Sequence, residues 1–152
     1  MLMMKKRQGV YAVLFSFVVL MLLLQGCKAD VKEPSSKYPS EKIEELAQCL
    51  TDNGVVMYGA FWCPHCANTK KKFGYAFSYV NYIECDPRCI PDEKGNIIAA
   101  CQGYEGRPEL CIERDIKGYD TWTFPDGTRA VGEPSLELLD EESGCNVLPE
   151  VE

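Results

Sequence analysis

Two cysteines separated by two residues, Cys63 and Cys66, are the side chains of this sequence best suited to chemistry. At the start of a helix, this spacing places both sulfurs within disulfide reach, with one of them facing solvent. The N–H groups of the helix N-terminus stabilise a thiolate on Cys63, and Cys66 is then the resolving thiol. The pair is therefore predicted to exchange disulfides with other molecules.

His65 lies between the two cysteines and is the only histidine in the chain. When it is protonated, its positive charge favours the reduced pair and raises the reduction potential. A lone Cys-x-x-Cys motif can also hold half of a zinc site, but the sequence has no second such motif and no histidine cluster. Thiol chemistry is therefore favoured over structural zinc.

The elements that must position the pair are a strand before it and a helix after it. Residues 55–60 form a short apolar run bounded by glycine, which predicts a buried strand that ends directly before the motif. Pro64 suits the first turn of a helix, and good helix formers continue to Lys72. The motif is thus predicted to lie at a strand-to-helix junction.

The remaining pattern predicts an α/β domain. Ser40 is expected to cap a first helix that stops at Asn53-Gly54, and residues 79–85 are predicted to form a second strand. A long loop with several cysteines follows, and disulfides are expected to hold it in place. The last predicted elements are a short helix over residues 110–116, a hairpin of residues 121–124 and 128–131 around Pro125-Asp126-Gly127, and a helix from Ser135 through Leu139.

The N-terminus has the pattern of an export signal. Basic residues 5–7 precede an apolar run over residues 10–24, as in a signal peptide, and Leu24-Gln25-Gly26-Cys27 resembles a bacterial lipoprotein signal. The predicted organisation is a signal peptide over residues 1–26, a lipid on Cys27, a flexible tether over residues 27–39 and one domain over residues 40–152. The alternative is an uncleaved anchor with Cys27 as an ordinary thiol.

Cysteine content and charge agree with export. Nine cysteines in 152 residues exceed what a reducing cytosol usually permits, and eight remain without Cys27, a number compatible with four disulfides. The formal net charge of -7 argues against nucleic-acid binding, because an acidic chain repels phosphate groups. The predicted location is the cell envelope, with a lipid-anchored domain facing the periplasm.

The sequence Phe61-Trp62-Cys63-Pro64-His65-Cys66 between a strand and a helix resembles the active site of the thioredoxin superfamily, and its Cys-Pro-His-Cys core is similar to that of DsbA-type disulfide oxidases. Residues 49–51, 57–66, 84–87, 109–111 and 116–119 resemble the thioredoxin-like domain fused to bacterial vitamin K epoxide reductase homologues. The resemblance implies a thioredoxin fold: a central mixed sheet flanked by helices, with a disulfide-stapled loop insertion.

The resemblance also implies a function and partners. Domains of this family exchange disulfides with exported proteins and are reoxidised by a quinone-coupled membrane partner, which this chain would meet as a separate, vitamin K epoxide reductase-like protein. No organic cofactor is required. The expected direction is oxidase or isomerase, with a thioredoxin-like reductase as the alternative.

One residue departs from the family pattern. Thioredoxin-like domains carry a cis-proline before Thr121, beside the cysteine pair, and here that residue is Asp120. A cis bond before a residue other than proline costs about 3–4 kcal/mol, so the Tyr119-Asp120 bond is predicted to be trans and the substrate groove to differ. A further alternative is a non-catalytic lipoprotein that binds a protein or a metal, with Cys63, Cys66 and Asp120 as possible ligands.

The resemblance implies a second disulfide, between Cys85 and Cys111. Cys89 and Cys101 in the intervening loop are the natural extra pair, while Cys49 and Cys145 either pair or stay free. An alternative role for Cys85 and Cys111 is to relay electrons to the active pair. Glu84 is a candidate proton acceptor for Cys66, because the position at which thioredoxins place a buried acid is Met57 here.

Overall fold

The computed structural model describes residues 32–150, and its centre is a four-stranded mixed sheet with the strand order β2-β1-β3-β4. Strand β1 (Val56–Gly59) pairs in parallel with β2 (Tyr82–Glu84) and antiparallel with β3 (Thr121–Thr123). Strand β4 (Arg129–Val131) completes the sheet as the hairpin partner of β3. This mixed sheet with flanking helices is the predicted thioredoxin-like architecture.

Four α-helices accompany the sheet. They are α1 (Ser40–Asp52), α2 (Pro64–Phe73), α3 (Pro108–Glu113) and α4 (Leu136–Glu142). Three short 3₁₀ helices lie in the connections: Gly74–Tyr79, Pro87–Cys89 and Ala99–Cys101. No helix in residues 32–150 is both long and apolar enough to cross a membrane.

Several predicted boundaries shift in the structure. Ser40 does not cap α1: the cap position is Pro39, without a side-chain hydrogen bond, and the Ser40 hydroxyl bonds Glu33 instead. Strand β2 is shorter than predicted because the chain continues beyond α2 as a 3₁₀ helix to Tyr79. Helix α3 begins two residues earlier than expected, with Pro108 in its first turn. The hairpin and the Ser135 cap of α4 are confirmed.

The main core lies between the sheet and the helices. The apolar stripe of α1, which includes Ile43, Leu46 and Leu50, is buried completely or nearly so. The ring of Phe73 from α2 stacks on Trp122 from β3, with 6.0 Å between ring centroids. Burial of these large side chains stabilises the contact of both helices with the sheet.

Residues 32–39 pack against the domain, although the sequence predicts a tether that extends to residue 39. The Ser35 N–H donates to the Lys71 carbonyl at 2.8 Å, and Tyr38 is buried with its hydroxyl 2.6 Å from Glu137. The domain therefore includes this segment, because its backbone groups and an aromatic ring find partners there. The predicted signal peptide, the lipid site at Cys27 and the first part of the tether lie outside the described residues.

Three disulfides join distant parts of the chain: Cys49–Cys145, Cys85–Cys111 and Cys89–Cys101. The first links the end of α1 to the segment after α4. The other two lie within the long connection between β2 and β3, which is the predicted stapled loop insertion. Within the described residues, Cys63 and Cys66 are the two cysteines that remain as thiols.

The disulfide that closes the longest loop is expected to contribute most to stability. Replacing Cys49 and Cys145 together with alanine should lower the free energy of unfolding by about 4 kcal/mol, because their link restricts a long stretch of the unfolded chain. The matched Cys89→Ala/Cys101→Ala variant, whose cysteines are 12 residues apart, should lose about 3 kcal/mol. Urea denaturation without reductant measures both, and a larger loss in the short-loop variant would contradict the expectation.

Candidate active site

The two thiols lie at the junction of β1 and α2, as predicted. Cys63 occupies the cap position of α2, and Pro64 follows in the first turn. The Cys66 N–H donates a hydrogen bond to the Cys63 sulfur at 3.3 Å. The positive end of the helix is therefore directed at the Cys63 sulfur, which is the arrangement that favours negative charge there.

Both cysteines are buried, Cys63 at 3% and Cys66 at 1% exposure, so the expectation that one sulfur faces solvent is wrong. The reason is packing: both belong to the main core cluster, against which Tyr119 also packs. Burial raises the pKa of the Cys66 thiol well above its usual range, and the hydrogen bond with Cys63 and the charge of Asp120 add to the rise. Cys66 is therefore held as a protonated thiol.

The peptide bond between Tyr119 and Asp120 is cis, so the prediction of a trans bond is wrong. Tertiary contacts outweigh the local preference on which the prediction relied. The Gly132 N–H donates to the Asp120 carbonyl at 2.9 Å, and the Asp120 side chain is completely buried and hydrogen-bonded. The backbone at this position thus has the cis form that the resemblance assigns to a proline.

The Asp120 carboxylate accepts three hydrogen bonds from three parts of the domain. One oxygen accepts from the Thr69 hydroxyl at 2.6 Å and from the Trp122 indole at 3.3 Å, and the other accepts from the Glu133 N–H at 2.6 Å. These bonds direct the carboxylate away from a ligand role. No group of three or more histidine, cysteine or acidic side chains in residues 32–150 is arranged to hold a metal, so the metal-binding alternative has no ligand set there.

The rim of the site is formed by aromatic side chains. Trp62 is 56% exposed, and its ring meets Tyr119 edge to face with 5.9 Å between centroids. The Trp62 indole donates to Asp86 at 2.6 Å, and Arg88 donates three hydrogen bonds to the same carboxylate, two from its guanidinium and one from its backbone N–H. Hydrogen bonds from Arg88, from its side chain above all, and from Trp62 keep the pKa of Asp86 far below its usual range. The exposed Trp62 is therefore held by a charged acceptor.

Of the two remaining predicted site residues, Thr121 is buried and His65 is exposed. Thr121 is buried, and its hydroxyl donates to the Gly118 carbonyl at 2.8 Å, which closes the turn before β3. The His65 ring is exposed, with Nδ1 3.4 Å from the Glu133 carboxylate. Glu133 also accepts from Asn68 and pairs with Lys72, each at 3.0 Å, and hydrogen bonds from Asn68, Lys72 and His65 lower the pKa of Glu133 to about 2.

Sequence reasoning missed three residues of the site: Asp86, Arg88 and Glu133. Asp86 is 24 residues from the tryptophan that it holds, and Glu133 is 68 residues from His65. The one local signal was Asp86-Pro87, since aspartate before proline favours a capped turn, and here Asp86 caps a 3₁₀ helix. Nothing in the pattern linked Glu133 to the motif.

The loop cysteines are set apart from the thiol pair. Cys85 and Cys111 pack with Tyr58 in a small second cluster, whereas Cys63 and Cys66 belong to the main core. Tyr119 contacts both clusters. This placement supports a structural role for the Cys85–Cys111 disulfide.

The mixed sheet with its flanking helices and the helix-capping cysteine together define a thioredoxin-fold protein with a dithiol site. The chain is similar to the thiol-disulfide oxidoreductase LTO1 of Arabidopsis thaliana, with 33% identity over 121 residues. The match covers 79% of this chain but 28% of the plant protein, so the chain spans less than a third of that relative. No protein-family model matches the chain.

Removal of the Asp120 carboxylate should destabilise the domain strongly. Asp120→Ala leaves two buried side-chain donors and one partly buried N–H without an acceptor, so the free energy of unfolding should fall by about 3 kcal/mol or more. Asp126→Ala is the matched control, because this exposed carboxylate accepts hydrogen bonds from Thr128 within a single turn, and its loss should cost much less stability. Equal losses in urea denaturation would refute the structural role of Asp120.

The Glu133 contacts predict a pH dependence of stability. The pKa of Glu133 falls from an ordinary 4.5 to about 2 in the folded state, so its contribution is complete above about pH 5 and is lost as pH falls from there toward 2. Glu133→Gln should therefore destabilise the protein at neutral pH but much less at about pH 3. Unfolding free energies in urea test this, with Glu93→Gln in the exposed loop as control. A Glu133→Gln deficit that is equally large at both pH values would contradict the assignment.

Proposed function

We propose that this protein is a thiol-disulfide oxidoreductase of the cell envelope, which exchanges disulfides with exported proteins through Cys63 and Cys66. The observation that carries the proposal is the hydrogen bond from the Cys66 N–H to the Cys63 sulfur at the start of α2. A helix N-terminus directed at one sulfur, with a second thiol one turn further in, is the arrangement that disulfide exchange requires. The similarity to a plant thiol-disulfide oxidoreductase supports the same activity.

In the proposed exchange, Cys63 is the sulfur that bonds to the substrate. In the oxidising direction, a substrate thiolate attacks the Cys63 sulfur of the Cys63–Cys66 disulfide, and Cys66 leaves as a thiolate that takes up a proton. A second substrate thiolate then attacks the substrate sulfur of the mixed disulfide, and Cys63 leaves as a thiolate. The substrate gains a disulfide and loses two electrons, which remain on the reduced cysteine pair. The reducing direction uses the same steps in reverse.

The proposed location follows from the sequence and agrees with the disulfides. A basic and apolar N-terminus followed by Cys27 favours export and lipid attachment, which would place the domain at a membrane surface on the periplasmic side. Three disulfides besides the thiol pair are typical of an oxidising compartment. A separate membrane redox partner, similar to vitamin K epoxide reductase, would reoxidise the cysteine pair.

The proposed direction is oxidase or isomerase. His65 is exposed beside the pair, and its Nδ1 lies 3.4 Å from the Glu133 carboxylate. A positive charge and a helix N-terminus beside the pair stabilise its reduced form, and a stabilised reduced form makes the pair a stronger oxidant. The charge of the buried Asp120 acts in the opposite sense on Cys66, because it raises the pKa of that thiol.

The reduction potential of the cysteine pair tests the direction. The full chain, purified in detergent, is equilibrated in glutathione buffers, and mass spectrometry quantifies each redox form. A value of about -120 to -180 mV is expected for an oxidase or isomerase, whereas about -270 mV would identify a reductase.

Single-cysteine variants test the exchange itself. In Cys66→Ser, the Cys63 thiolate should attack a disulfide of a misoxidised exported protein and stay trapped in the mixed disulfide, because the resolving thiol is absent, and Cys63→Ser should trap none. Both variants should also fail to accelerate the reduction of insulin by dithiothreitol, which the unaltered chain is expected to accelerate. If the unaltered chain neither forms a mixed disulfide nor accelerates this reaction, the proposed exchange activity is refuted, and the alternative of a non-catalytic binding protein is favoured.

A further inference from the structure

We propose that a surface pocket at the end of α2 binds the anionic headgroups of the membrane lipids beside which the domain is anchored. The pocket measures about 270 Å³, and three lysines line it: Lys32, Lys70 and Lys71. The rings of Phe77 and Tyr104 form part of its wall. The inference on this lysine pocket rests on the membrane location proposed above and is independent of the exchange activity.

The three lysines of the pocket have no acidic partner in residues 32–150. Four other lysines pair with a carboxylate at 3.0 Å or less: Lys37, Lys42, Lys72 and Lys117. No ion pair among the described residues involves Lys32, Lys70 or Lys71. Three positive charges without a counter-charge around one pocket attract an anion from outside the protein.

The helix dipole explains lysines at the end of α2, but it does not explain Lys32. Cations in the last turn offset the partial negative charge of a helix C-terminus. Lys32 comes from the segment before α1, and the Tyr75 N–H holds its carbonyl at 2.7 Å. Gly74 permits this approach, since a Cβ atom there would lie 2.6 Å from the same carbonyl oxygen. The fold therefore brings a cation from another segment to the pocket.

The pocket combines its cations with aromatic rings. The Lys70 ammonium lies 4.2 Å from the ring centroid of Tyr104 and 5.4 Å from that of Phe77. Aromatic side chains are typical of protein surfaces at the level of lipid headgroups, because the ring is partly apolar and partly polar. Cations beside rings suit a lipid headgroup, which joins a phosphate to a less polar glycerol ester, better than they suit a free inorganic anion.

The chain enters the domain at this pocket. Lys32 follows Cys27, the proposed lipid-bearing residue, by five positions. Five residues span at most about 17 Å even when they are fully extended, so a lipid on Cys27 keeps Lys32 close to the membrane surface. Basic residues that are held near an anionic lipid surface strengthen binding to it. The proposed anchor and the three lysines therefore favour the same contact.

The charge of the remaining surface favours this orientation over others. The chain has a formal net charge of -7, and exposed positions of α1 carry Glu41 and Glu45. An anionic membrane repels acidic faces and attracts the lysine pocket. Cys63 caps the opposite end of α2. Contact of the lysine end with lipid therefore leaves the thiol end of the helix facing away from the membrane, toward exported proteins.

The test measures how fast individual lysines are acetylated on membranes. The full chain is reconstituted from detergent into vesicles of phosphatidylcholine, alone or mixed with anionic phosphatidylglycerol. The vesicles are isolated by flotation and treated with acetic anhydride, and mass spectrometry gives the rate for each lysine. Lys32 and Lys71 should react about 5-fold more slowly on the anionic vesicles, because a headgroup phosphate that holds the ammonium blocks the reagent. Salt at about 1 M should abolish the difference.

Lys94 is the matched control, because it is exposed, has no ion pair among the described residues and lies outside the pocket. Its rate should be the same on both kinds of vesicle. Two variants that each remove one positive charge extend the comparison. In Lys71→Gln the protection of Lys32 should weaken, because the pocket attracts the headgroup less strongly, whereas Lys94→Gln should leave that protection unchanged.

The outcomes separate the lipid contact from the location on which it rests. Equal rates of Lys32 and Lys71 on both vesicles would overturn the proposal, and so would an equal slowing of Lys94. Slowing of the two lysines by inorganic phosphate in detergent, to the extent that anionic vesicles produce, would assign the pocket to a free anion instead. If the unaltered chain floats with neither vesicle, the membrane location is refuted and the lipid contact with it, while the exchange activity is unaffected.

Discussion

The buried carboxylate of Asp120 is the polar group on which the geometry around the thiol pair depends. It accepts hydrogen bonds from Thr69 on α2, from Trp122 on β3 and from the backbone of Glu133 after β4. Separation would leave the buried carboxylate and its two buried donors, Thr69 and Trp122, without hydrogen-bond partners, so these elements keep their relative positions. The cis segment beside the thiols is thus held by hydrogen bonds at a place where the related family has a proline ring.

Cys66 is buried in the same core as Asp120, and this burial determines the protonation of its thiol. Removal of the thiol from water is the largest cause of its raised pKa, and the charge of Asp120 is a smaller one. Lys70, one turn beyond Cys66 on α2, lies among the rings of Tyr82, Tyr104 and Phe77, and Glu84 on β2 is buried. The surroundings of Cys66 therefore include a cation and a buried acid as well as apolar side chains.

The loop insertion connects the stability of the domain with the shape of the site. Two disulfides staple the connection between β2 and β3, and Asp86, next to Cys85, holds the exposed indole of Trp62 at the rim. On the opposite side, Glu133 joins His65 to the lysine-rich end of α2. The surface that a substrate protein would meet is therefore arranged by residues outside the motif.

The features that could be predicted from the sequence alone are those that depend on neighbouring residues along the chain. A strand, a Cys-Pro-His-Cys motif and a helix follow one another within residues 55–73, and turn residues marked the β3–β4 hairpin, because these signals are local. Four features are visible only in the folded domain: the cis bond at Asp120, the hydrogen bond from Trp62 to Asp86, the burial of Glu84 and the packing of residues 32–39. Each of these depends on partners far away in sequence, and burial of polar groups against such partners outweighs the local preferences that a sequence pattern reports.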